Sequence, residues 1–220
     1  MKTIRVSALC LAVLFLAAPM LRAQELSKYR NFSLDTSLPT VLKHTDQKLA
    51  DVKVTQTRPA LMQELTWWPA SVPSSPLRPD AVEQILFSFY NGQLYKMSVT
   101  YDRSSTEGLT ADDLVKSISA RYGLPTFVAP AIDVATNDRQ QPVASWEDPQ
   151  YSVDLVRSSF TGSFELAIYS KKVAAEAELA LTEAAKLDKQ EGPQREADRQ
   201  KKETDDLEVT RQKNQKSFRP

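Results

Sequence analysis

Cysteine and histidine are almost absent from this chain of 220 residues, which contains only Cys10 and His44. Cys10 lies in an N-terminal apolar run that we expect to be removed. The remaining chain would then offer no thiol for a disulfide bond, for nucleophilic catalysis or for a metal. One histidine without cysteines is not a plausible ligand set for zinc. The five glycines are not clustered, whereas phosphate-cradling loops need clustered glycines.

Catalytic motifs are equally scarce. His44 is the one candidate base, and it falls near the end of a predicted helix, where a histidine more often interacts with the last carbonyl groups. The chain lacks the Gly-x-Ser-x-Gly sequence that presents the serine of an α/β-hydrolase. The adjacent acids Asp112 and Asp113 have a structural explanation at a helix start. We therefore predict no catalytic residue, no metal site and no cofactor.

Neither sign of charge is in excess, because 28 Lys and Arg residues are balanced by 28 Asp and Glu residues. Lys2, Arg5 and Arg22 fall within the N-terminal segment, so the rest of the chain carries a net charge of about −3. Such a chain lacks the basic footprint of a nucleic-acid-binding protein. We predict a protein partner, no nucleic acid and no stable membrane insertion.

Residues 1–23 have the layout of a secretory signal peptide. Lys2 and Arg5 precede the apolar run 6–18, and the small residue Ala23 stands at the expected cleavage position. The run is shorter than the roughly 20 residues that span a bilayer. An exported chain of this size without disulfides is more typical of the bacterial envelope than of eukaryotic secretion. We therefore predict a periplasmic or secreted bacterial protein.

The composition divides the rest of the chain into two parts. Residues 24–170 alternate apolar and polar side chains, whereas residues 171–220 are dominated by Ala, Glu, Lys, Gln and Arg. We predict an α+β domain followed by a charged helical tail. Within the domain, residues 29–103 and 107–170 form a weak repeat of a helix followed by antiparallel hairpins. The helices are expected to pack on one face of the sheet or sheets.

The clearest predicted helix lies in "GLTADDLVKSISARYGLP". Thr110 is a good N-cap, and Gly123 and Pro125 are typical of a helix end. An apolar stripe at four-residue spacing predicts one buried face. The stripe consists of Leu114, Ile118 and Tyr122.

Residues 85–101 predict a β-hairpin around Asn91 and Gly92. A two-residue turn would pair Phe89 with Leu94, and a three-residue loop with a left-handed glycine would pair Phe89 with Gln93. We favour the three-residue loop because the other register brings lysine and serine onto the apolar face. The favoured face is expected to be protein core, with a ligand platform as the alternative. It consists of Ile85, Phe87, Phe89, Tyr95, Met97, Val99 and Tyr101.

A second set of apolar residues is a candidate for contact with a partner. Trp68 is expected to point away from the core beside the proline-rich loop 69–79, where cover by that loop is the favoured interpretation and contact with a partner is the alternative. The hairpin's other face and the tail supply the remaining candidates. The full set is Trp68, Leu86, Tyr90, Leu94, Leu207 and Phe218.

The tail begins with a weak heptad seam and is then interrupted. Val173, Ala177, Ala180, Ala184 and Leu187 follow alternating spacings of four and three. Gly192 and Pro193 predict a break. The segment that follows is nearly all polar, so a solvated helix is favoured, and docking through Phe218 is the alternative.

The helix described above also resembles a motif in SmpA/BamE-like small envelope-assembly proteins. The positions that match are Gly108, Leu109, Thr110, Gly123 and Pro125. This chain departs from those proteins in a helix about one turn longer and in lacking their lipid-anchor cysteine. The resemblance implies an assembly role in the envelope and a helix followed by a hairpin.

Three functional hypotheses follow. The first is an exported, non-enzymatic interaction protein of the bacterial envelope. The second is a module that binds a small apolar ligand between helix and sheet. The third is a hydrolase that uses carboxylates.

Overall fold

The computed structural model describes residues 25–69, 81–129, 142–157 and 163–219. The predicted signal peptide and nearly all of the predicted proline-rich loop lie outside these residues. The described part combines an antiparallel sheet with helices and ends in one long helix, as the predicted α+β class requires.

The strands and helices follow one another in a simple order. A separate hairpin consists of β1 (Lys28–Tyr29) and β2 (Phe32–Ser33). The main sheet contains β3 (Lys53–Gln56), β4 (Met62–Trp67), β5 (Val82–Tyr90), β6 (Gln93–Tyr101), β7 (Phe127–Val128), β8 (Pro142–Glu147), β9 (Tyr151–Arg157) and β10 (Phe164–Ser170). The helices are α1 (Leu38–Thr45), α2 (Arg103–Thr106), α3 (Ala111–Tyr122) and α4 (Lys171–Ser217), with a single 3-10 turn at Leu49–Asp51.

One antiparallel sheet of eight strands runs through the described domain in the order β3-β4-β5-β6-β10-β9-β8-β7. Strands β3 to β6 follow α1, and strands β7 to β10 follow α3. The two sets meet where β6 pairs with β10. The sequence left open whether there would be one sheet or two, because the β6–β10 pairing joins segments far apart in the chain. It also missed β7 and the β1–β2 hairpin, whose strands are too short to alternate visibly.

The main hydrophobic core lies on one face of this sheet, beneath α1 and α3. Leu114, Ile118 and Tyr122 of α3 are buried in it, as their spacing predicted. Thr110 and Asp113 form a reciprocal capping box at the start of α3, and Gly123 ends the helix at φ 78°. The core includes Val41, Leu65, Phe87, Met97, Trp146, Val153, Leu155 and Ile168.

The register of the β5–β6 hairpin differs from the favoured prediction. Asn91 and Gly92 form a two-residue turn with φ of 50° and 79°, and Phe89 pairs with Leu94. A bulge follows at Tyr95, because Ser88 pairs with Lys96. The favoured three-residue loop is therefore wrong. A two-residue turn followed by a bulge satisfies the apolar pattern as well, because it keeps Met97 and Val99 on the core face.

Two adjacent apolar side chains, Leu94 and Tyr95, lie on opposite faces of the sheet, and the bulge that follows keeps Met97 and Val99 on the core face. Leu94 is fully buried in the main core, so its assignment as an exposed partner contact is wrong. Tyr95 leaves the predicted core face and joins Met62 and Ala177 in a second apolar cluster. We call these three residues the second cluster. It places α4 on the sheet face opposite α1 and α3, so the helices do not all share one face.

Gly92 occupies a position that disfavours any residue with a Cβ, since its φ is positive although no atom lies within 4 Å of a built Cβ. We expect Gly92→Ala to lower the free energy of unfolding by about 1 kcal/mol, measured by urea denaturation. The matched control is Gly192→Ala, which is equally uncrowded but lies in α4 without a positive φ. It should leave the domain's stability unchanged or slightly raised. Equal destabilisation by both changes would contradict the turn geometry.

Candidate interaction surface

Metal-binding side chains are not clustered in the described residues. Residues 25–69, 81–129, 142–157 and 163–219 contain no cluster of three or more His, Cys, Asp or Glu side chains able to hold a metal ion. His44 is exposed on α1, with its ring centroid 6.2 Å from that of Phe32 in an edge-on arrangement. The surfaces with unusual features lie instead on α4.

The first part of α4 is docked on the domain through the seam found in the sequence. Ala177, Ala180 and Ala184 are buried, with Ala177 only 1 % exposed, and Val173 and Leu187 are half-buried. Small side chains let the helix lie close to the sheet, where Ala177 packs against Met62 and Tyr95. The seam is therefore occupied within the chain, so its heptad spacing does not indicate a coiled coil.

An ion-pair network lies at the C-terminal end of this docked segment. The guanidinium of Arg58 donates two hydrogen bonds to the Glu191 carboxylate, at 3.2 and 2.5 Å. Arg195 lies 2.8 Å from the carboxylate of Asp188 and 3.4 Å from that of Glu191. These hydrogen bonds from Arg58 hold the pKa of the Glu191 carboxyl below its ordinary value. We call Arg58, Glu191, Arg195 and Asp188 the clamp.

The predicted break at residues 192–193 is absent. Helix α4 runs through Pro193 and ends at Ser217. A proline removes one backbone donor, but the carbonyl it leaves unpaired, that of Lys189, lies on an exposed residue and can be hydrated. The clamp also spans the position, because Arg195 reaches back across Pro193 to Asp188. Side-chain pairs of this kind could not be read from the helix-breaking residues alone.

Beyond Gly192 the helix leaves the domain and is exposed on all sides. We call residues 193–219 the arm, which extends about 40 Å at 1.5 Å per residue. Leu207, Val209 and Phe218 are 71 %, 67 % and 76 % exposed. Few intrachain ion pairs support the arm. Within it, Arg199 lies 2.9 Å from the carboxylate of Glu196, although a spacing of four residues would also allow Arg199 to pair with Glu203.

The predicted partner contacts do not form one surface. Trp68 is 60 % exposed, at the end of β4. Leu86 is half-buried on the sheet face that carries the second cluster, and Tyr90 packs against that cluster. Leu207 and Phe218 are exposed on the arm, away from the other candidates.

A further exposed apolar patch was missed by the sequence analysis. Leu124, Phe127 and Val128 are exposed around β7, at the edge of the sheet. Strand β7 is only two residues long, so no alternating pattern marked it. The sequence did not predict that these apolar residues lie exposed beside an edge strand.

Comparisons with protein-family models, with curated proteins and with solved structures found no match for this chain. The resemblance to SmpA/BamE-like proteins therefore stays a prediction. Every helix in the described ranges is too short or too polar to cross a membrane.

Docking of the alanine seam can be tested with a buried and an exposed position two residues apart. Ala177→Glu would place a carboxylate against Met62 and Tyr95, whereas Ala175 is exposed on the same helix. We expect Ala177→Glu to speed hydrogen exchange of the amides of residues 173–187 by about tenfold or more, measured by mass spectrometry. Ala175→Glu should leave it unchanged. Unaltered protection in Ala177→Glu would contradict the docking.

The clamp makes a pH-dependent prediction. Because the pKa of Glu191 is lowered in the folded chain, its ion pair is complete above the ordinary value of 4.5 and is lost as the pH falls through the lowered pKa. Carbon NMR of the Glu191 carboxyl should give a midpoint below 4.5, and Arg58→Ala should raise it. Arg103→Ala, an exposed arginine on α2, is the control that should leave it unchanged. A midpoint insensitive to Arg58→Ala would show that the clamp does not form.

Proposed function

We propose that this chain is an exported, non-enzymatic interaction protein of the bacterial envelope whose arm binds a protein partner. The observation that carries the proposal is the exposed arm, which continues α4 beyond its last contact with the domain. Docking of residues 173–191 gives this helix a rigid base.

An exposed helix of this length needs a physical reason to exist. Most helical stability in proteins comes from the packing of an apolar face, and a helix that is polar all round lacks a face to bury. The arm nevertheless presents Leu207, Val209 and Phe218 to solvent. A partner that covers these residues would supply the burial that the domain does not provide.

The remaining parts of the proposal are supported by the sequence. The charge and apolar pattern of residues 1–23 supports export. The helix from Thr110 to Gly123 supports kinship with small envelope-assembly proteins. We further propose that α1 with β3 to β6, and α3 with β7 to β10, are two copies of one unit.

The decisive experiment removes the arm and leaves the docked seam intact. A chain that ends at Gly192 keeps Ala177, Ala184 and Glu191, so the second cluster and the contact between Arg58 and Glu191 are preserved. We expect this truncated chain to unfold at nearly the same urea concentration as the full chain. It should lose the proteins that the full chain captures from bacterial envelope extracts.

A second capture experiment locates the contact. Photo-crosslinking side chains at Leu207 and Phe218 should give adducts with a defined protein, whereas the same side chain at exposed Lys53 on β3 should not. If the truncated chain captures the same proteins as the full chain, the arm is not the binding surface.

A further inference from the structure

The charges at the end of the arm are separated by sign. The acidic segment, residues 203–208, contains Glu203, Asp205, Asp206 and Glu208 and no base. The basic segment, residues 211–219, contains Arg211, Lys213, Lys216 and Arg219 and no acid. The end of the arm therefore carries two neighbouring blocks of opposite charge, each with four charged residues.

These two blocks are not neutralised within the chain. Nearer the domain, Arg195 pairs with Asp188 and Arg199 pairs with Glu196. Among the described residues, no ion pair engages an acid of residues 203–208 or a base of residues 211–219. Both blocks are fully exposed, so their charges face outward.

We propose that the arms of two copies of this chain pair antiparallel, with the acidic segment of each against the basic segment of the other. This inference rests on the proposed function, because it names the arm's partner as a second copy. In the antiparallel arrangement both contacts join opposite charges at once, around a two-fold axis near Thr210. A parallel pair would set acid against acid and base against base.

The exposed apolar residues fit this arrangement. Leu207 and Phe218 are eleven residues apart, close to three helical turns, so they lie on one face of the arm. With the axis near Thr210, Phe218 of one copy would lie beside Lys201 and Lys202 of the other, whose methylene stems can cover an aromatic ring. Leu207 would lie beside the stem of Lys213. The pairing therefore buries apolar surface that the monomer exposes.

The geometry leaves room for both domains. Gly192 lies 18 residues from Thr210, which corresponds to about 27 Å of helix. In an antiparallel pair the two domains would stand on opposite sides of the axis, about 54 Å apart along the arms. Only the arms need to touch, so the sheet and its helices keep the structure described above.

The association state tests the proposal through matched charge reversals. The first variant replaces the four acids of the acidic segment by Lys, and the second replaces the four bases of the basic segment by Glu. We expect the full chain to be a dimer by analytical ultracentrifugation at low salt, and more salt should weaken it. Each variant alone should raise the dissociation constant by about tenfold or more, because both contacts become repulsive. An equimolar mixture should dimerise again, since both contacts are then attractive.

A control and a direction test complete the design. Lys186→Glu with Lys189→Glu reverses exposed charges outside the arm and should leave the dimer unchanged. In a chain with Cys10→Ser, Thr210→Cys should form an intermolecular disulfide. Gln200→Cys should not, because an antiparallel pair separates its two sulfur atoms by about 30 Å. Far-UV circular dichroism checks that every variant keeps its helix.

The outcomes are distinguishable. A full chain that stays monomeric, a dimer that survives both reversals, or efficient cross-linking of Gln200→Cys would each overturn the antiparallel pair. A monomer that binds vesicles of anionic lipid through Lys213 and Lys216 would assign the basic segment to a lipid surface instead. If the dimer fails but the arm still captures another envelope protein, only this inference is lost. If the chain truncated at Gly192 captures everything that the full chain does, the proposed function is lost as well.

Discussion

The long helix docks on the sheet through one apolar contact, that of Ala177 with Met62 and Tyr95. The bulge at Tyr95 returns Met97 to the core face, where Leu94 also lies in the main core, whereas Tyr95 lies on the opposite face of the sheet. There Tyr95 and Met62 form the apolar surface against which Ala177 packs. Without the bulge, Lys96 would pair with Phe87 on the core face, and Met97 and Val99 would turn toward α4. The position of the arm therefore depends on this apolar contact.

Helix α4 changes its physical character along its length. In the first part of α4 the buried side chains are alanines, whose small size lets the helix lie close to the sheet. Arg58 holds Glu191 where the seam ends, and Pro193 follows without interrupting the helix. Among residues 194–219 every side chain is exposed. One continuous helix thus combines a docked first part with an exposed arm. The domain can therefore hold the charged residues of the arm well away from its own surface.

The likeness between the seam and a coiled coil shows why periodicity alone does not identify a partner. Spacings of four and three indicate a buried face, whatever covers it. For Ala177 the cover is the chain's own sheet. On the arm, the apolar residues Leu207 and Phe218 are sparse, and the sign of the neighbouring charges carries the information instead. The order of acidic and basic segments can favour an antiparallel pairing with a second copy, whereas the few apolar residues are too widely spaced to favour one partner.

Local patterns in the sequence determined the α+β class, the limits and buried stripe of α3, the buried face of the early part of α4 and the exposure of Leu207 and Phe218. Each of these depends on neighbours within a few residues, so spacing and capping chemistry suffice. The tertiary structure decided the bulge at Tyr95, the burial of Leu94, the joining of β6 to β10 and the continuity of α4 through Pro193. Each of these depends on contacts between residues distant in the chain, such as Arg58 with Glu191, and no local pattern records them.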